Sequence, residues 1–164
     1  MRAFKNLTLA ILAIAAGSAA RAEQGDMGFS NSQTERTVST FLSGIEGCAE
    51  APPVYRVDCF QQAYAGTVRV ISNASAYWEA EVALTRINRN LYSFVRANTD
   101  KSLGRERYNF RVRAVTEAAL PEAQALYAQS VDQAVAIMRG GNSAEVKYFK
   151  PLADAVEASR DGLQ

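Results

Sequence analysis

The chain has 164 residues, 18 basic against 17 acidic side chains, two cysteines, one tryptophan and no histidine. The missing histidine excludes Ser-His-Asp and Cys-His nucleophilic sites, His-containing zinc sites, the His-carboxylate iron triad and His-ligated haem. With both cysteines expected in one disulfide, thiolate metal sites go too, so neither a metal nor a cofactor is expected. Gly-rich phosphate loops, G-x-S-x-G elbows and EF-hand loops do not occur in the sequence.

Residues 1–22 read as a secretory signal peptide. Arg2 and Lys5 precede an apolar run from Leu7 to Ala16, and Ala20-Arg21-Ala22 forms an A-x-A cleavage site. The run is too short to span a bilayer. The expectation is therefore a bacterial protein exported to the periplasm or secreted, in an oxidising space that suits a cysteine pair. Three basic residues lie in that segment, which leaves 15 basic against 17 acidic in residues 23–164, a length that suits one domain.

Residues 23–31 are polar and Gly-rich and predict a flexible N-terminal arm, followed by a single helical domain over 32–164. Ser32 and Glu35 fit a capping box, and Val38, Phe41, Leu42 and Ile45 then form one apolar helical stripe that Gly47 ends.

The segment from Cys48 to Cys59 holds two of the four prolines. In one continuous helix its two cysteines would lie about 16 Å apart at Cα, beyond the roughly 7 Å that a disulfide tolerates. A bridge therefore requires a turn, and Pro52-Pro53 supplies it, ending one helix and starting the next. The run Arg56-Val57-Asp58-Cys59-Phe60, with Cys48 upstream, resembles a Cys-paired helical corner in various exported bacterial proteins, some tied to secretion machinery. The resemblance spans Cys48 to Tyr64 and implies a disulfide corner, with no site residue attached.

Beyond the corner, Val57, Phe60, Tyr64, Val68 and Ile71 keep helical spacing, and Trp78, Val82, Leu91, Phe94 and Val95 extend it. A break is expected at residues 72–75, where Ser and Asn compete with helical backbone bonding. Phe60, Tyr64, Trp78 and Phe94 are expected in the core. In residues 107–113, Tyr108, Phe110 and Val112 alternate with Asn109, Arg111 and Arg113 at the period of a half-buried strand. No second strand candidate is evident, so an extended packed connector or a first helical turn is expected, with pairing to a partner's edge as the sharper option. Pro121 opens a helix through Leu126, Val131, Val135 and Met138 to Gly140-Gly141. Ser143 is expected to cap a last helix through Val146, Phe149, Leu152 and Val156, kinked or split at Pro151. The fold class is all-α, an antiparallel bundle of four to five amphipathic helices with one disulfide at a helix-helix corner.

Charge gives the functional hint. Residues 86–113 carry eight basic side chains (Arg86, Arg89, Arg96, Lys101, Arg105, Arg107, Arg111 and Arg113) against Asp100 and Glu106. Guanidinium forks suit carboxylate and phosphate groups. The expectation is a binding protein whose Arg105, Arg107, Tyr108, Arg111 and Arg113 contact an acidic protein or another anionic component of the envelope, without nucleic acid. Two rivals remain. The arginines can be consumed by acidic helices of the same fold, such as the one holding Glu117, Glu122 and Asp132. Alternatively, a carboxylate-dependent hydrolase of envelope polysaccharide would use Glu79 beside Trp78, and Glu81, although residues two apart on a helix point away from each other.

Overall fold

The computed structural model describes residues 28–164. The segment read as a signal peptide, and residues 23–27 of the expected arm, lie outside the described residues. Five helices, α1 (Asn31–Glu46), α2 (Pro53–Ile71), α3 (Trp78–Asn98), α4 (Leu120–Arg139) and α5 (Ser143–Ala158), form the expected all-α bundle. Each packs on its successor, and α5 returns to α1, so the ring of helices closes.

Helix α1 begins two residues before the expected capping box. Ser30 is its N-cap, with Oγ accepting from the Gln33 amide at 3.2 Å. Phe29, at the end of the expected arm, is core: its ring stacks on Tyr148 at 5.1 Å and meets Tyr77 edge-on at 5.2 Å. The buried face of α1 is Thr34, Thr37, Phe41 and Gly44, while Leu42 of the expected stripe is 47% exposed. Close approach explains the substitution of small residues for large ones. A Cβ on Gly44 would lie 2.9 Å from the Ala63 Cβ, so α1 meets α2 where no side chain fits between them. The two threonines are satisfied where they sit: Thr34 Oγ1 shares a 2.8 Å hydrogen bond with the Tyr77 hydroxyl, and Thr37 Oγ1 donates to the Gln33 carbonyl at 2.9 Å.

The corner forms as the prolines require. Pro52 is extended at ψ 149°, Pro53 begins α2, and the Cys48–Cys59 disulfide joins Cα atoms 5.7 Å apart with both cysteines fully buried. The expected break also forms. α2 stops at Ile71, the Asn73 side chain donates to the Arg69 carbonyl at 3.0 Å, and a 3-10 turn at Ser75–Tyr77 leads into α3.

The cap of α5 is Asn142, one residue before the expected Ser143. Its Oδ1 accepts from the Ala144 and Glu145 amides, and the Glu145 carboxylate accepts from the Asn142 amide at 2.8 Å. Pro151 lies inside an unbroken α5 and does not split it. At the centre, the hydroxyls of Tyr64 and Tyr127 meet at 3.1 Å and Tyr127 shares a 2.6 Å hydrogen bond with Ser159 Oγ, tying α2 and α4 to the chain's end. Burial raises the pKa of Tyr64 well above its ordinary value and pushes that of Tyr127 up to about 12.

Candidate functional site

Between α3 and α4 the chain makes an excursion over residues 99–116. Its neck is closed by backbone pairing: Thr99 bridges Val115, the Asp100 amide donates to the Ala114 carbonyl at 2.9 Å, and the Thr116 amide donates to the Asn98 carbonyl at 3.0 Å. Within it, β1 (Glu106–Arg107) and β2 (Arg111–Val112) pair antiparallel, Glu106 opposite Val112 and Arg107 opposite Arg111. The alternating segment thus supplies its own partner strand, and the expectation of a connector or helical turn is corrected. The missed signal was the turn at Tyr108-Asn109-Phe110, which lacks the Gly and Pro that usually mark a hairpin.

Five groups fasten this hairpin to the disulfide corner. Val112 is fully buried. The Tyr108 ring lies 5.9 Å from that of Tyr55, whose hydroxyl donates to the Gly104 carbonyl at 3.1 Å. Gln62 Nε2 donates to the Arg111 carbonyl at 3.0 Å, and Asn109 Nδ2 reaches the Ser43 and Gly44 carbonyls at the end of α1 at 3.5 Å. The fifth is Arg113. Its amide and Nε donate to Asp58 Oδ2 at 2.8 and 3.2 Å, and its Nη2 donates to Oδ1 at 3.0 Å. Asp58 is buried one residue from Cys59, and its hydrogen bonds favour the charged form of Arg113. The same guanidinium sits 5.8 Å from the Tyr92 ring, which Arg96 also approaches at 5.7 Å.

Of the predicted arginines, these fastenings use the Arg113 side chain and the Arg111 carbonyl, and leave the other guanidiniums free. The guanidiniums of Arg105, Arg107 and Arg111 are exposed and bond to no other described residue. Of the eight basic residues in 86–113, Arg113 alone forms an ion pair among the described residues. The acidic helices find cations elsewhere. Asp132 receives Arg160 at 2.7 Å, Arg139 bridges Asp154 at 2.9 Å and Glu157 at 2.6 Å, and Lys150 also pairs with Asp154. Hydrogen bonds from those cations hold Asp132, Asp154 and Glu157 below the usual carboxylate range. Internal consumption of the arginine segment therefore applies to Arg113, through α2 rather than through the helix of Asp132.

Tyr108 is half-buried, packed on Tyr55. Trp78, expected in the core, is 65% exposed at the start of α3. It lines a groove of about 420 Å³ together with Glu81, Val82, Arg86 and Arg89. Glu79 is not in that lining, and no second carboxylate joins Glu81 there. Among the described residues no cluster of carboxylates could hold a metal ion, and no helix is long and apolar enough to cross a membrane. No protein-family model, curated protein or solved structure matches this chain.

Proposed function

We propose that this is an exported, periplasmic binding protein that contacts an anionic component of the envelope through Arg105, Arg107 and Arg111, with Arg113 as the positioning residue of the hairpin. One observation carries the reading. Arg107 and Arg111 are directly opposed across two paired strands, both exposed and neither neutralised by a described acid. Directly opposed side chains have Cβ atoms about 4.5–5.5 Å apart, and like charges there destabilise the pair. Two arginines rooted this close, on a hairpin fixed by a buried carboxylate, can bring both guanidinium forks to the oxygens of one carboxylate or phosphate. Binding an anion would turn a repulsion in the free protein into an attraction in the complex.

The test is capture from envelope extract at low and high salt, with the wild-type protein beside R105S/R107S/R111S. The expected result is a component retained by the wild type at low salt, released at high salt and absent from the variant. Equal retention by both proteins would refute the assignment.

A further inference from the structure

The groove on α3 lies outside the arginine hairpin and has its own chemistry. Trp78, Val82, Arg86 and Arg89 follow at helical spacing along one exposed face, with Glu81 beside them. The Trp78 indole N–H, the Glu81 carboxylate and the guanidiniums of Arg86 and Arg89 have no hydrogen-bond or ion-pair partner among the described residues. An exposed tryptophan and three unpaired charges along one open groove on the face of α3 are a concentration of unused recognition groups.

The order of charge along the groove restricts the ligand. Trp78 and Glu81 occupy the end nearer the α3 N-terminus, and Arg86 and Arg89 lie one to two turns further on. A simple anion would be drawn to the arginines but would face Glu81, a simple cation the reverse, and a neutral ligand would leave all three charges unanswered. A ligand with both signs satisfies the whole set. Its ammonium would sit over the indole face and against Glu81, and its anion on the two guanidinium forks. The first-turn dipole of α3 opposes a cation there, and the two carboxylates of that turn, Glu79 and Glu81, offset it. Glu81 and Arg86 are about 7.5 Å apart along the helix axis and roughly 140° apart around it. Two guanidinium forks offer more donors than one carboxylate can accept, and ethanolamine phosphate supplies phosphate oxygens to meet them, with its ammonium two carbons and an ester oxygen away.

We propose that the Trp78–Glu81–Arg86–Arg89 groove binds a zwitterionic ammonium–phosphate group of the phosphoethanolamine type, free or as a lipid headgroup. This site is independent of the hairpin, and its test separates the two. Trp78 is the only tryptophan in the chain, so its emission reports the groove directly. The protein is titrated with glycerophosphoethanolamine, glycerol phosphate or ethanolamine at millimolar concentration, and with vesicles of phosphatidylethanolamine or phosphatidylglycerol. The expected result is a saturable change in Trp78 emission with the soluble zwitterion, with its vesicles, or with both, the two arms distinguishing a free from a lipid-borne source. E81Q and R86Q/R89Q should each weaken it at least tenfold with helical circular dichroism unchanged, and R105S/R107S/R111S should leave it intact. An equal response to glycerol phosphate or phosphatidylglycerol, no response to any probe, or a response that both groove variants retain would overturn the proposal.

Discussion

The Asp58–Arg113 pair makes an asymmetric prediction. The Asp58 side chain is 2% exposed and that of Arg113 is 23% exposed, so the two partners have different recourse when the other is removed. In D58A the guanidinium can turn toward water. The loss is its charged hydrogen bonds and one stranded backbone N–H, together about 2–3 kcal/mol. In R113A the carboxylate stays buried with one amide donor, and removing one partner of a buried pair costs about 3–5 kcal/mol. The double variant, which strands no charge, should fall short of the sum of the two by about 2 kcal/mol, since groups in contact are not additive. Urea unfolding followed by helical circular dichroism measures all four proteins, with changes in midpoint at constant slope read as stability. The reasoning fails if D58A costs as much as R113A, or if the two effects add to within about 0.5 kcal/mol.

Three further outcomes are expected. Gly44 and Gly66 should respond in opposite directions to alanine. A Cβ on Gly44 meets Ala63 at 2.9 Å and should cost about 1–3 kcal/mol, while Gly66 has nothing within 4 Å and should gain about 0.5–1 kcal/mol of helix propensity, both read as urea midpoints. The raised pKa values of Tyr64 and Tyr127, the latter about 12, favour the protonated phenols in the folded state. Their contribution to stability is therefore full below about pH 10 and is lost as pH rises through about 12, which a pH series of urea midpoints should show as a decline over that window. Replacing Cys48 and Cys59 by alanine should cost about 3 kcal/mol for a closed loop of this size. Because Asp58 adjoins Cys59 and Asn109 bonds to carbonyls at the end of α1, hydrogen exchange should show the hairpin amides losing protection together with the corner.

The fold was largely legible where large apolar residues face inward and prolines fix the backbone. Val57, Phe60, Tyr64 and Ile71 are buried as their spacing predicts, the Pro-Pro corner places the disulfide, and Ser72-Asn73 ends a helix. Reading failed where packing chose small or polar residues. The inward face of α1 is built from Thr34, Thr37 and Gly44, which no hydrophobic stripe reveals, because the distance to α2 at Ala63 decides it. Trp78 fits the helical spacing of a core aromatic, yet Ala80, Ala83, Leu84 and Ile87 fill the inward side of α3 and the indole faces outward. In the arginine segment, alternation marks which residues face the core, since Val112 is buried and Arg111 exposed, but not that the segment turns back on itself. Nor can spacing show that Arg113 is held by Asp58, 55 residues earlier, while its three neighbours remain free.

The unpaired hairpin guanidiniums are proposed as a receptor for anionic groups. The most direct measurement is the affinity for the component captured from envelope extract, compared across the wild type, the charge-keeping R105K/R107K/R111K and the charge-free R105S/R107S/R111S. A receptor built on opposed forks predicts the order wild type, then lysine, then serine, with at least a tenfold loss in the serine variant and a shallower salt dependence. Equal affinity in all three, with folding intact, would contradict the account and leave the arginines as a solvated face.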